Sequence, residues 1–128
     1  MRLLLDTHAL IWWWDEKERL TDRVLSALSD GRDQVFVSAV SGLEMAIKVR
    51  LGQLPQMKGK LAIFERSVRG DGFNLLPISS EHAVRAGSMP GAHRDPFDRL
   101  LAAQAMLEGM ALVTRDRAIA EFDCEVLW

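Results

Sequence analysis

The chain has 128 residues, 48% hydrophobic and 27% charged, with a formal net charge of −2, which is enough to bury one core and too little for two, so a single domain over 1–128 is expected. The apolar run before Asp6 is too short for a signal peptide, and nowhere do about 18 apolar residues follow one another as a membrane span needs, which leaves the cytoplasm as the default location. A single cysteine, Cys124, and three scattered histidines exclude a disulfide framework and a structural zinc site, and the acidic balance does not advertise a nucleic-acid binder.

In chain order, Arg2 to Leu5 reads as a short strand buried on both faces, as in a parallel sheet. Three consecutive tryptophans, Trp12, Trp13 and Trp14, follow on a helix, where they sweep roughly 200° and are hard to bury on one face. At least one is expected to be exposed and to serve as an interface anchor. Val24, Leu25 and Leu28 form a helical face after an N-cap at Thr21, closed by Gly31. Gln34 to Ser38 (QVFVS) is a second strand. Val40, Leu43, Ile47 and Leu51 recur at helical spacing and Gly52 ends that helix, with Ser41 and Glu44 spaced as a capping box. A polar stretch leads to a helix from Leu61 to Val68. Phe73 to Ile78 (FNLLPI) is a third strand, placed near an edge because Pro77 cannot donate to a ladder. Ser80 to Ala86 is a short helix and 87 to 91 a loop. Pro96 to Glu108 is the best helix, with Asp95 as N-cap and Gly109 past its end. Ala111 to Thr114 is a fourth strand, Arg117 to Phe122 a short helix, and Glu125 to Trp128 a fifth strand.

Strands alternating with helices predict an α/β fold with a parallel sheet covered on both faces. In such sheets the ligand crevice lies beyond the carboxyl ends of the strands, where the winding reverses. Asp6 stands at such an end. A carboxylate closing a strand of leucines costs several kcal/mol if desolvated without a partner, so a cation or donor set should compensate it. Glu44, Asp98 and Asp116 stand at equivalent places after other strands. Each also has a local explanation as a helix-terminal acid, Asp116 as cap of the short helix that follows it. If all four converge, the shared cation is most simply divalent, and a carboxylate-rich site without cysteine suits Mg²⁺ or Mn²⁺. Such ions hold phosphate oxygens, and the chemistry they support is phosphodiester hydrolysis.

At these residues the chain resembles a known family. LLLDTH at 3–8, SAVSGLE at 38–44, HRDPFDRLLAAQ at 93–104 and LVTRD at 112–116 are similar to PIN-domain nucleases, in particular the VapC-like toxins of bacterial type II toxin–antitoxin pairs. The likeness extends over essentially the whole chain. It implies a three-layer α/β/α sandwich around a mainly parallel sheet of about five strands, and a metal-dependent endoribonuclease acting as a toxin. Carried across by position, Asp6, Glu44, Asp98 and Asp116 become the catalytic, metal-holding acids, with Thr7, Asp95 and Thr114 in support. The partners implied are RNA, a VapB-like antitoxin and a second copy of the chain in a homodimer.

Without those four acids, the remaining 14 carboxylates are outnumbered by the 16 basic residues, so the negative balance belongs to the site. Arg94, Arg99, Arg115 and Arg117 flank Asp98 and Asp116 and are candidates for RNA phosphate contact, as is Lys48, which can also pair with Glu44 one helical turn away. His8 and His93 are read as RNA-touching or as surface histidines. Two other readings are weighed. A Mg-dependent phosphatase of the haloacid-dehalogenase type needs a second Asp two residues after the first, where this chain has His8. A non-catalytic acidic-pocket module of the receiver kind needs adjacent acids after its first strand, which are absent.

Overall fold

The computed structural model describes residues 1–128. Five strands, β1 (Arg2–Leu5), β2 (Gln34–Ser38), β3 (Asn74–Leu76), β4 (Ala111–Val113) and β5 (Val126–Leu127), form one parallel sheet in the order β3-β2-β1-β4-β5. Seven α-helices alternate with them: α1 (Thr7–Asp15), α2 (Asp22–Ser29), α3 (Ala39–Arg50), α4 (Lys58–Ala62), α5 (Phe64–Gly70), α6 (Ser80–Ser88) and α7 (Pro96–Glu108). None is long and apolar enough to cross a membrane.

The leucines of β1 organise the interior. Side chains alternate across a strand, so Leu3 and Leu5 enter one core, with residues of α1, α2 and α5, while Leu4 enters the other, with α6 and α7. All three are fully buried. Each stabilises the fold by about 2 kcal/mol relative to an exposed side chain, which is why the run is apolar at every position rather than at every second one.

Local chemistry sets the element ends. Thr21 accepts the Val24 amide and starts α2. Asp95 and Pro96 start α7, and Gly109 ends it in the left-handed region at φ 66°. β3 lies at an edge, as Pro77 requires. The helix expected from Leu61 to Val68 is two helices, broken at Ile63, whose backbone (φ −126°, ψ 42°) leaves the helical region. After the break the Phe64 ring meets Trp14 edge-on at 6.0 Å. The capping box expected at Ser41 is also corrected. β2 runs into α3 without a loop, so Ser38 is the N-cap and accepts the Val40 amide, and Glu44 falls in the second turn. The segment from Arg117 to Phe122 is a 3-10 helix rather than an α-helix.

The tryptophans differ from expectation too, since all three are half-buried and none is fully exposed. The cover comes from more than one side. Trp13 packs on Phe73 and Trp14 on Phe64, both donating Nε1–H to Asp71, while Trp12 meets Trp128 at 5.9 Å.

α6 and α7 are joined by a buried histidine. His82 is 4% exposed. Its Nδ1 accepts the Ser79 amide at 3.0 Å and lies 3.3 Å from the Gln104 side-chain nitrogen, so the proton sits on Nε2, which donates to Glu108 at 2.9 Å. His82→Ala removes all three contacts and leaves the Gln104 amide without one of its acceptors. It is expected to lower stability by about 2 kcal/mol, read as a lower urea midpoint with an unchanged slope.

Candidate active site

β1 and β4 are adjacent, yet the chain passes through β2 and β3 on one side of β1 before returning to β4 on the other. The carboxyl ends of these two strands therefore border a crevice at the reversal point. Asp6 follows β1 and Thr114 follows β4. Both are buried, Asp6 at 5% exposure.

Asp6 is held from its own helix and from the neighbouring strand. Its Oδ1 accepts the Ala9 amide at 2.7 Å as N-cap of α1, and its backbone amide donates to the Val113 carbonyl. The Thr114 hydroxyl faces the carboxylate. These contacts do not make up for lost water, and no cationic side chain pairs with it. Burial pushes the Asp6 carboxyl from the ordinary 3.8 up to about 6, against the pull of Thr114, Ala9 and His8, and nearby Asp98 adds to the rise.

Asp98, in the first turn of α7, is the hub. Its pKa is also raised, first by burial and further by Asp95 and Glu44, while His93 opposes the rise. His93 Nε2 lies 3.0 Å from Asp98 Oδ2. Donor atoms of His93, Asp98 and Asp116 all lie within 4.8 Å of one another, close enough to share an ion. Asp116 caps the 3-10 helix through the Ala118 amide at 2.9 Å, and its own amide donates to Thr114 Oγ1. Glu44 reaches the same region from α3, is 7% exposed, and pairs with Lys48 at 3.2 Å. Of the four expected acids the structure brings Asp98 and Asp116 together, with His93, while Asp6 and Glu44 stand outside that cluster, near enough for their charges to bear on Asp98.

The remaining expected residues divide. Thr7 is buried with its hydroxyl 3.1 Å from that of Ser41, tying α1 to α3 rather than meeting a carboxylate. Asp95 caps α7 through the Phe97 and Asp98 amides, orienting the turn that carries Asp98. Arg94, Arg115 and Arg117 are exposed and make no ion pair, as a phosphate contact requires. Arg99 is not available for that role. Its guanidinium donates to the carbonyls of Ala86, Met89 and His93 and lies over the Phe122 ring, so it fastens the loop before α7. Lys48 is engaged with Glu44. His93 is the residue that sequence reasoning undervalued. The signal was its place just before the Asp95-Pro96 helix start, where the turn folds the preceding residue back over the first turn that carries Asp98.

The donor set consists of carboxylates and one imidazole, with no thiol, and beside it lies the buried Asp6 carboxylate, which no side chain neutralises. That chemistry fits a hard divalent cation.

Comparison with known proteins agrees with this geometry. Residues 3–124 match the family model of the PIN domain. The chain is 33% identical over 125 residues to Ribonuclease VapC22 of Mycobacterium tuberculosis (strain ATCC 25618 / H37Rv), an alignment covering 91% of this chain and 88% of that one. Among solved structures it is similar to VapBC2 from Rickettsia felis bound to a DNA fragment from their promoter, with a TM-score of 0.72 at 18% identity over 99% of this chain and 98% of that chain. It is also similar to FitAcB from Neisseria gonorrhoeae, with a TM-score of 0.66 at 20% identity over 98% of this chain and 96% of that chain. At these identities the structural likeness is one of fold.

The raised Asp6 pKa has a consequence for stability. Because the folded state holds the proton more tightly than the unfolded chain, the stabilisation is complete below about pH 4 and is lost as pH rises through about 6. Asp6→Asn keeps an acceptor for the Ala9 amide and removes the titration. In chelator, its stability relative to wild type is expected to rise by on the order of 2–3 kcal/mol between about pH 4 and 7. Parallel denaturant melts of the two proteins across that range check this, and a pH-independent difference would contradict it.

Proposed function

This chain belongs to the PIN-domain family, in its VapC-like branch, and on that footing we propose that it is a divalent-metal-dependent endoribonuclease working in the cytoplasm as the toxin of a toxin–antitoxin pair. The reading treats residues 1–128 as one domain with one site. What supports it is the cluster of His93, Asp98 and Asp116, whose donor atoms lie within 4.8 Å of one another, beside the buried Asp6 carboxylate that no cationic side chain pairs with. Neither the phosphatase nor the acidic-pocket module finds support.

In this reading the four acids hold Mg²⁺ or Mn²⁺, with His93 beside Asp98. When bound, such an ion polarises a phosphodiester and makes water a better nucleophile at neutral pH. The protein's own groups do the rest. Arg94, Arg115 and Arg117 flank the acids and attract the RNA backbone. His93 Nε2, 3.0 Å from Asp98 Oδ2, is placed to hold a proton at that oxygen. Thr114 and the Ala9 amide fix the Asp6 carboxylate against rotation, so that its orientation is set before substrate arrives. Lys48 occupies Glu44 and has to be displaced, or shared, as that carboxylate takes up a cation. The partners in this reading are a VapB-like antitoxin and a second copy of the chain.

Purified protein incubated with RNA and Mn²⁺ or Mg²⁺ is expected to cleave it, to stop in chelator, and to release no phosphate from a phosphomonoester. Asp6→Asn and Asp98→Asn should lower cleavage by at least about 100-fold while the protein still folds. Asp116→Asn should cost less, because that carboxylate is exposed and also engaged in capping. Full activity in Asp6→Asn would sink the assignment. The same cation should raise the melting temperature of metal-free protein by mass action, about 2.7 kcal/mol at a hundredfold excess over its dissociation constant. That rise should shrink in Asp98→Asn, and indifference to Mn²⁺ would contradict a shared cation site.

A further inference from the structure

The cleft that opens over Asp6 and Asp116 has a second wall, with His8 and Trp12, that the chemistry above does not use. Asp6, His8, Trp12, Arg115 and Asp116 line a space of about 350 Å³, at the small end of the range for ligand clefts. Three of the five side chains are flat. The Arg115 guanidinium stands 5.4 Å from the centre of the Trp12 ring, Arg19 stands at the same distance, and the His8 ring lies 5.8 Å from Trp12. Trp12 is unlike its neighbours, because the indole N–H groups of Trp13 and Trp14 both donate to Asp71 whereas that of Trp12 has no acceptor. Neither His8 nor Arg115 makes a hydrogen bond or ion pair, although Asp116 is adjacent to Arg115 in sequence. An indole with an unpaired donor, an unpaired guanidinium and an exposed imidazole around a cleft next to phosphodiester-cutting acids make up the set of groups on which nucleobases stack.

We propose that this cleft receives one unstacked nucleobase of single-stranded RNA, the base adjoining the scissile phosphodiester, against Trp12 and Arg115. The proposal rests on the nuclease reading for the identity of its ligand. It extends that reading from backbone to base, with Trp12 as the residue that receives the base. The 5.4 Å between Arg115 and the indole is too little for a base between them, so the exposed Arg115, which no hydrogen bond holds, lifts off the ring to serve as a planar cover for the base and as a charge beside the phosphate.

The test separates binding from cutting. In chelator, a short fluorescein-labelled oligoadenylate is compared by anisotropy with an abasic oligomer of the same length and charge. Wild type is expected to prefer the base-bearing probe by about tenfold. Trp12→Phe, which keeps an aromatic face, should retain most of that preference, and Trp12→Leu should lose it. With Mn²⁺ present, Trp12→Leu should raise KM for RNA about tenfold with a smaller change in kcat. A merely structural role for the indole would leave the base-to-abasic ratio unchanged in the folded fraction. Should Trp12→Leu fail to fold, oligoadenylate is still expected to quench indole fluorescence in wild type and much less in Trp12→Phe. Equal binding of both probes by wild type overturns the proposal. So does a folded Trp12→Leu that keeps the preference, which would place the base contact away from the indole. Base preference without any RNA cleavage would support the cleft and overturn the nuclease reading, whereas metal-dependent cleavage without base preference would do the reverse.

Discussion

A carboxylate held at the end of three buried leucines is the constraint from which the site is built. Water would solvate Asp6 better than the fold does, and the Ala9 amide and Thr114 hydroxyl recover only part of what is lost, as the rise of its pKa to about 6 records. The position is set by β1, and β1 cannot shift. Its register is fixed by β2 on one side and β4 on the other, and a slip of one residue would send Leu3 and Leu5 into the core that Leu4 fills. The apolar core thus supplies the rigidity, and the acid bears an electrostatic cost that a cation can relieve.

The other acids arrive by different local devices that reach the same place. Asp116 is turned by its own capping bond, and Asp98 rides on a helix whose start is set by Asp95 and Pro96. The loop before that helix is fastened by Arg99, which spends its guanidinium on three backbone carbonyls, one of them that of His93. An arginine buried in this way cannot also meet a phosphate.

Much of this was legible in the sequence because the signals were local. The LLL run, the Asp95-Pro96 start, Gly109 and the edge-marking Pro77 each depend on a few adjacent residues, and β1, α7 and the place of β3 follow from them. Asp6 stood out because a carboxylate closing a strand of leucines needs a compensating partner, whereas Glu44, Asp98 and Asp116 each had a local explanation at a helix start and were joined to it by the family resemblance. What escaped reading depends on contacts between distant segments. Nothing near Arg99 in sequence says that three carbonyls surround it, and nothing near His82 says that Gln104 and Glu108 will meet it. The break at Ile63 has no glycine or proline to announce it. The tryptophans were misjudged because a single helix was considered alone, whereas Phe64, Phe73 and Trp128 cover it from other elements.

The pairing of β1 with β4 also governs when the molecule becomes complete. Leu3 lies against Ala111, and Asp6 waits for Asp98 and Thr114 from the far part of the chain. Contacts so distant in sequence form late, after most of the entropy of closing the chain has been spent. During synthesis the N-terminal acid emerges first and has only its local Ala9 amide until nearly all of these residues have left the ribosome. A chain of this topology therefore carries an unfinished site for most of its own translation.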